Sequence, residues 1–216
     1  MVDIQLRDFE LRFNYFGIID LEFSSWKGSQ KRNWSLKWEK REVINIGISK
    51  FNKSFVGRVY ERNFFFKPKN RKLSLYFQNL TSITQSKINR YNHLNEEDLQ
   101  KVEIFFKDTN YILSNGIDKI ILEEDLKDKK INAKKFLFIK KIVNIKPFIS
   151  NLLNVSQDKA ISSNLPKLIG IKKKGLLKKH FAIDDVRSIY VSLKHLHKKG
   201  VFTLNGFTKL CNANCK

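Results

Sequence analysis

The sequence predicts an α/β fold in which a mixed five-stranded sheet is flanked by helices. Three strand-like segments come first along the chain, and helical and strand-like segments then alternate. Consecutive strands without intervening helices tend to pair as antiparallel neighbours, whereas alternation of helices with strands is typical of parallel pairing. We therefore expect the first three strands to be antiparallel and the remaining two to be parallel.

The opening strands are predicted at residues 15–23, 42–51 and 58–66. The second contains INIGIS, in which isoleucine alternates with small or polar residues. Because successive side chains of a strand point to opposite faces, this alternation predicts one buried face and one exposed face. The polar stretch between the first two strands, SSWKGSQKRNWSLKWEKR, predicts a loop that carries three tryptophans among lysines and arginines.

The later elements follow one another with strand and helix patterns. They are a helix from residue 96, a strand at 110–114 (NYILS), a helix from about residue 117, a strand at 136–143 (FLFIKKIV) and a helix at 184–199. Asn95 can cap the first of these helices, because its side chain can accept a hydrogen bond from a free backbone amide. Gly200 is placed to end the last helix.

Length and cysteine content predict one domain. The 216 residues suffice for one sizeable core, so we expect a single domain over residues 1–200 and a C-terminal tail over 201–216. Cys211 and Cys215 in this tail have no second pair and no nearby histidine, which makes them a poor zinc site. No apolar run is long enough for a membrane span and no secretory signal is visible, so a cytoplasmic protein without a membrane partner is expected.

The charge of the chain favours a polyanionic partner. Lysine and arginine number 42 against 21 acidic residues, which gives a net charge of +21. A basic surface attracts nucleic acid because neutralised phosphates release their counterions. An AT-rich coding genome would also enrich lysine and asparagine, so the charge alone leaves two explanations open.

Two carboxylates interrupt the apolar first strand, IIDLEFSSW at residues 18–26. Asp20 and Glu22 are two residues apart, so both side chains lie on the same face of the strand. Like charges on an apolar strand repel each other and are costly to desolvate unless a cation neutralises them. Either this face is exposed to solvent or a cation binds there.

Further residues that could bind a metal ion or transfer a proton follow later in the sequence. Asp118 comes just after the fourth strand, and Asp185 enters the last helix five residues after His180. Asp108 and Asp125 compete for the role of the mid-chain acid, but Asp118 is better placed because it follows the carboxyl end of a strand.

This ordered set resembles the DEDDh class of 3′–5′ exonucleases, like RNase T and polymerase proofreading subunits, whose fold is RNase H-like. IIDLEF, SNGIDKIIL and HFAIDDVRSIY are similar to the three motifs of the class. LSLYFQNLTSITQ at residues 73–85 is similar to its L-T-G-I-T stretch, and WKGSQKRNWS to a tryptophan-bearing segment of some bacterial members. The resemblance covers about residues 14–198. Ser82 stands where L-T-G-I-T has glycine, and Phe181 where a polar residue is common.

The resemblance implies metal-dependent removal of 5′-mononucleotides from a 3′ end. Two Mg²⁺ or Mn²⁺ ions can activate water and stabilise the attacking and leaving oxygens of a phosphodiester, and such ions prefer carboxylate ligands. The four expected metal ligands are Asp20, Glu22, Asp118 and Asp185. His180, as the resemblance implies, is a general base and not a metal ligand.

Substrate contacts are expected on both sides of these residues. Ser24 and Ser25 follow Glu22 directly, and the resemblance implies that their backbone lies near the terminal nucleotide. Trp26 is the tryptophan nearest the acidic pair and is the candidate for substrate contact, whereas the other two tryptophans are expected to pack the loop onto the sheet. IKKKGLLKK at 171–179 ends at Lys178 and Lys179, just before His180, and can grip a nucleic-acid backbone or form a solvated turn.

Two other classes of function remain open. A nucleic-acid-binding or polymerase-associated subunit could keep the fold and act mainly by binding, and a basic structural protein would explain only the charge. The expected partner in the leading interpretation is nucleic acid with a single-stranded 3′ end. The sequence leaves open DNA against RNA, a recruiting protein and a homodimer.

Overall fold

A computed structural model of the chain describes residues 15–172, 180–203, 206 and 207. It contains a five-stranded sheet of strand order β3-β2-β1-β4-β5. The strands are β1 (Tyr15–Phe23), β2 (Val43–Asn52), β3 (Tyr60–Phe65), β4 (Thr109–Ser114) and β5 (Ile142–Asn144). The pairs β1–β2 and β2–β3 are antiparallel, whereas β1–β4 and β4–β5 are parallel. The predicted mixed sheet is confirmed.

Helices and short turns connect and cover the strands. The helices are α1 (Leu75–Thr81), α2 (Gln85–Ile88), α3 (Glu96–Phe105), α4 (Asp118–Asp128), α5 (Leu137–Lys140), α6 (Lys146–Leu152), α7 (Leu165–Leu168) and α8 (Ala182–Lys198). Asn95 caps α3 as predicted, because its side chain accepts a hydrogen bond from the backbone amide of Asp98. Gly200 follows the end of α8 with φ of +70°, a conformation that glycine adopts without strain.

Both faces of β2 are buried, which corrects the half-exposed strand predicted from INIGIS. Ile46 is fully buried in one face, and Asn45 and Ser49 are fully buried in the other. The polar face is covered because α8 packs across β2 and β1. The burial of this face depends on a helix far along the chain. The alternation of residues within β2 could not have predicted that packing.

The predicted fifth strand at 136–143 is wrong over most of its length. Residues Leu137–Lys140 form the short helix α5, and pairing with β4 begins only at Ile142. Phe138 and Ile139 are both buried although they are neighbours, and the Phe138 amide donates to Glu103 of α3 at 2.9 Å. A short apolar run does not distinguish a buried strand from a buried helical turn.

Two apolar clusters lie on the two faces of the sheet. One packs α3 and α4 against β1 and β2, with Phe106 and Leu122 fully buried. The other packs α8 against the opposite face and includes Phe202 and Phe207. Residues 202 and 207 belong to the predicted tail, so the described part of that tail contributes to the core of the domain.

Several sequence predictions concern residues that the structure does not describe. Lys178 and Lys179, most of the basic stretch 171–179, and both cysteines of the tail lie outside the described residues. Among the helices that the structure does describe, none combines the length and apolar character needed to cross a membrane.

Candidate active site

Asp20 and Glu22 lie on one face of the central strand, as their spacing predicts. In the β1–β2 pair, Asp20 is opposite Gly47 and Glu22 is opposite Asn45. The second strand therefore places a residue without a side chain and a short amide beside the two carboxylates. This leaves room above the sheet for groups from other elements.

Asp118 joins this pair from the neighbouring parallel strand. It is the first residue of α4, four residues after the end of β4, and its carboxylate accepts a hydrogen bond from the backbone amide of Leu21 at 3.0 Å. Leu21 lies between the two acids of β1, so this bond fixes Asp118 beside both of them. The Ser114 hydroxyl also hydrogen-bonds the Asp118 carboxylate.

The two competing aspartates serve structural roles elsewhere. Asp108 precedes β4 at the opposite end of the sheet and forms an ion pair with Lys50 at 2.8 Å. Asp125 accepts a hydrogen bond from the Val43 amide at 3.1 Å and pairs with Lys129. The cavity that contains Asp118 is lined by neither of them among the residues described.

The N-terminus of α8 reaches the site because β2 lets it come close. A β-carbon at Gly47 would lie 2.4 Å from the carbonyl carbon of Ala182, so only glycine permits this approach. The Ala182 amide donates to the side-chain oxygen of Asn45 at 3.3 Å. The helix is thus anchored directly over the strand partners of Asp20 and Glu22.

His180 and Asp185 are brought in by this helix start. One ligand atom from each of Glu22, His180 and Asp185 can be chosen so that all three lie within 4.8 Å of one another. The backbone amide of His180 hydrogen-bonds the Asp185 carboxylate, and His180 has φ of +55°. A left-handed backbone at a residue other than glycine is uncommon and is found disproportionately at functional sites.

All five predicted chemical residues line one cavity of about 270 Å³ at the carboxyl ends of β1 and β4. The lining contains Asp20, Glu22, Asp118, His180 and Asp185. In sheets with parallel strands, this edge is where ligands commonly bind. Five residues spread between positions 20 and 185 of the sequence thus line one cavity.

The two acids of β1 are strongly destabilised in their charged form. Burial raises the pKa of Asp20 well above its ordinary value, and the charges of Asp185, Asp118 and Glu22 raise it further. Burial also raises the pKa of Glu22 well above its ordinary value, with Asp185 and Asp118 adding to the effect. A cluster of this kind favours protons or metal cations.

The pKa values of Asp118 and Asp185 are also raised, to a smaller extent. Burial raises the pKa of Asp118 to about 6, although hydrogen bonds from the Leu21 amide and others oppose the rise. Burial raises the pKa of Asp185 to about 7, and the hydrogen bond from the His180 amide opposes it. Both groups bind a proton more tightly than an exposed aspartate does.

The donor set fits hard divalent cations. The four carboxylates supply oxygen ligands, which Mg²⁺ and Mn²⁺ prefer. One carboxylate oxygen of Asp185, Oδ1, is buried and accepts no hydrogen bond from any residue that the structure describes. An unpaired buried carboxylate oxygen is costly, and a metal ion would satisfy it.

The tryptophan that lines the cavity is Trp34, whereas Trp26 was the expected one. The ring of Trp26 packs edge-on against Trp38 at 5.1 Å, and Trp26 is absent from the described residues that line the cavity. The Ser29 hydroxyl bridges the amide and carbonyl of Trp26, which closes a turn that returns Trp34 over Phe23 at 5.5 Å. The structure thus places Trp34 at the cavity, and contact of Trp26 with substrate stays a prediction.

The two serines after Glu22 differ in position. Ser25 lines the cavity, and its carbonyl accepts a hydrogen bond from the Ser74 hydroxyl just before α1. Ser24 is held inside the loop, where its hydroxyl donates to the Lys40 carbonyl and accepts from the Glu42 amide at 2.9 Å. Of the two, only Ser25 is placed to contact a molecule in the cavity.

Sequence reasoning missed several polar residues of the cavity, among them Lys146, Asn115 and Ser162. The Asn115 side chain donates to the Ala160 carbonyl at 2.8 Å and to the Ser162 hydroxyl at 3.3 Å, and Ser162 hydrogen-bonds Asp20. Asn115 lies in the SNGID motif and could have been found there. Ser162 lies in a loop that no pattern marks.

Apolar side chains form the remaining walls. Tyr76 and Leu80 lie one turn apart on α1, and Ile117 and Ile161 are partly exposed at the rim. Ser82 ends α1 in the left-handed conformation with φ of +59°, which explains why glycine suits this position in the L-T-G-I-T stretch. The cavity thus combines a cluster of carboxylates with both apolar and polar wall residues.

Comparison with known proteins shows likeness in structure. No protein-family model and no curated protein matches the sequence. The nuclease domain of 3′hExo, a DEDDh family member solved bound to rAMP, is similar with a TM-score of 0.71 and 20% identity over 88% of this chain and 94% of that one. Cell-death related nuclease 4 is similar with a TM-score of 0.68 and 17% identity, over 88% and 65%.

A third similar structure is E. coli Exonuclease I in complex with a dT13 oligonucleotide. Its TM-score is 0.61 at 13% identity, over 85% of this chain and 41% of that one. These neighbours confirm the RNase H-like fold and the resemblance in architecture to DEDDh exonuclease domains. At these identities the likeness concerns the fold, and the chemistry rests on the side chains of the cavity.

Proposed function

We propose that this chain is a metal-dependent 3′–5′ exonuclease that hydrolyses phosphodiester bonds of DNA or RNA and releases 5′-mononucleotides. One observation carries the proposal: four carboxylates and a histidine meet in one cavity, at the edge of a sheet with an exonuclease-like fold. Four clustered carboxylates, two of them buried and two half-buried, destabilise a protein that has no cation to bind. A protein that only binds nucleic acid has no use for them.

The four carboxylates are the proposed metal ligands. Asp20, Glu22, Asp118 and Asp185 would hold two Mg²⁺ or Mn²⁺ ions, with Asp185 Oδ1 as one free ligand atom. When bound, such ions lower the pKa of a water molecule and stabilise charge on the oxygens of the phosphodiester. The Leu21 amide orients Asp118, and the Ser162 hydroxyl orients Asp20.

His180 is the proposed general base. Its imidazole lies beside Glu22 and Asp185, where it can take the proton of the attacking water at near-neutral pH. The water oxygen then bonds to phosphorus while the bond from phosphorus to the 3′ oxygen of the preceding nucleotide breaks, and that oxygen takes a proton from solvent to become the new 3′ hydroxyl. The products are a 5′-mononucleotide and a chain shortened by one residue.

The walls of the cavity support binding of an unpaired 3′-terminal nucleotide. Trp34, Tyr76 and Leu80 offer aromatic and apolar surface that suits a nucleobase without selecting its identity. The neighbours were solved with rAMP and with a dT13 oligonucleotide, so they support nucleic acid as the substrate class without deciding the sugar. A cytoplasmic location remains a prediction, and a protein partner or homodimer remains open.

Digestion of labelled nucleic acid tests the proposal. Single- and double-stranded DNA and RNA, labelled at either end, are incubated with Mg²⁺ or Mn²⁺ and with EDTA. We expect stepwise loss from the 3′ end and release of mononucleotides only with the metal, and no release by Asp20→Asn or Asp118→Asn. Full activity of both variants, or binding of nucleic acid without any metal-dependent turnover, would contradict an exonuclease and favour a binding subunit.

A further inference from the structure

Lys146 occupies a fixed position at the edge of the site. The β4–β5 pair ends with Ser114 opposite Asn144, and the Ile145 amide donates to the Ser114 carbonyl at 2.8 Å. Lys146 follows directly as the first residue of α6, and its amide donates to the side chain of Asn144 at 2.9 Å. Its backbone is therefore held where the chain of β4 turns toward Asp118.

The Lys146 side chain enters the same cavity as the carboxylates. It is half-buried and lines the cavity, and its charge lowers the pKa of Asp118. Other half-buried cations near acids are paired, such as Lys129 with Asp125. Lys146 forms no ion pair within 4.0 Å with any residue that the structure describes. Its ammonium group is therefore a cation of the site that forms no ion pair with a particular carboxylate.

The charge balance of the site leaves the positive charge of Lys146 available to the substrate. Four carboxylates balance two divalent ions, so the ammonium group remains as one uncompensated positive charge when the site is loaded. A phosphodiester linkage carries one negative charge, which matches it. A lysine ammonium is a common point-charge ligand for phosphate.

We propose that Lys146 binds the phosphate of the 3′-terminal linkage and so positions the bond that is cut. This inference rests on the proposed exonuclease function. The competing role is a counter-ion that only stabilises Asp118 in the folded protein. The two roles differ in one respect: a phosphate contact depends on the charge of that linkage, and a structural counter-ion does not.

A pair of oligonucleotides separates the two roles. Both are 5′-fluorescein single strands of the sugar that the wild type degrades, and one has an uncharged methylphosphonate at its 3′-terminal linkage. Binding is followed by fluorescence anisotropy in Ca²⁺, after a gel shows that the strands stay intact. Lys107→Ala is the matched control, because Lys107 is exposed at the opposite end of β4 and its removal changes the net charge equally.

We expect Lys146→Ala to weaken binding of the all-phosphate strand by about tenfold, the scale of one charge-assisted hydrogen bond. Binding of the methylphosphonate strand should be unchanged, and the slope of log affinity against log salt for the all-phosphate strand should fall by about 0.7. Lys146→Arg should keep the discrimination between the strands. Lys107→Ala should affect both strands alike.

If Lys146→Ala lost binding affinity equally for both strands, or for neither, the proposal for Lys146 would be overturned. Lys146→Gln and thermal unfolding of each variant show whether a loss of binding reflects misfolding, since Gln keeps the first two methylenes of the side chain and a polar end. If the wild type degrades nucleic acid but Lys146→Ala and Lys146→Gln bind both strands normally, only this inference fails. If the wild type neither degrades nor binds any strand, the proposed function fails and this inference with it.

Discussion

Gly47 lies directly opposite Asp20 in the β1–β2 pair, and a β-carbon on Gly47 would stand 2.4 Å from the backbone of Ala182. The absence of a side chain at one position of β2 thus lets α8 begin against the sheet. That helix start carries His180 and Asp185 to the acids of β1. The geometry of the site depends on a residue that has no functional group.

Gly47→Ala should therefore impair activity more than stability. The added carbon must push the start of α8 away from β1, which costs about 1–3 kcal/mol of unfolding free energy. A displacement of about 1 Å between catalytic groups can lower kcat by about 100-fold. Mononucleotide release and thermal unfolding of the same preparations measure the two effects.

Ile46→Val is the control for this prediction. Ile46 lies on the other face of β2, and its loss of one methylene costs about 0.5–1.5 kcal/mol without touching α8. The control should keep its activity while losing some stability. Normal turnover by Gly47→Ala would show that the close approach to Ala182 is not needed.

The metal-free protein should lose stability as the pH rises from about 4 to about 7. Burial raises the pKa of Asp118 to about 6 and that of Asp185 to about 7, so the folded state binds more protons than the unfolded state in this range. Stability falls with pH wherever the folded state binds more protons, by an amount on the order of 3–4 kcal/mol for each of these two shifts. Thermal unfolding in EDTA across this pH range measures the loss.

Mn²⁺ should reverse this pH dependence, because the metal binds the deprotonated carboxylates and competes with protons. The unfolding temperature with Mn²⁺ should rise above that in EDTA most strongly near pH 7 and above. Asp185→Asn removes one of the shifted groups and should flatten the EDTA profile. An EDTA profile that rises between pH 4 and 7 would contradict the buried cluster.

Trp34 and Trp26 should differ when each is replaced by alanine. Trp34 lines the cavity, so Trp34→Ala should raise KM for a single-stranded substrate by about 5- to 100-fold, the scale of losing one stacked base. Trp26→Ala removes the contact with Trp38 and should lower the unfolding temperature with a smaller change in KM. Initial rates over a range of oligonucleotide concentrations compare the two variants, and the reverse order would restore Trp26 as the substrate contact.

The parts of this site that could be predicted are those encoded over a few residues. Asp20 and Glu22 share a face because of strand periodicity, and Asp185 follows His180 by a single loop-to-helix transition. Asp118 was predictable from its place after β4. In each case local geometry alone brings the side chain to the expected end of an element.

The remaining features depend on packing between distant segments. The burial of Asn45 is decided by α8, and the approach of Ser162 to Asp20 depends on Asn115 holding the 160–162 loop. Lys146 reaches the cavity because β5 ends with Asn144 opposite Ser114, at the end of β4 that leads to Asp118. The positions of these residues depend on which distant segments pack together, and a local sequence pattern does not predict that packing.

His180→Asn is the sharpest test of the proposed base. Asparagine tolerates the left-handed backbone of φ +55° that His180 adopts, so the loop and α8 should keep their positions. The variant lacks an imidazole, so kcat should fall by about 100- to 10,000-fold, the usual contribution of a general base. Because Glu22 and Asp185 remain, Mn²⁺ affinity measured by calorimetry should stay close to that of the wild type. Loss of Mn²⁺ affinity in parallel with kcat would instead make His180 a metal ligand, which its place within 4.8 Å of both carboxylates also permits.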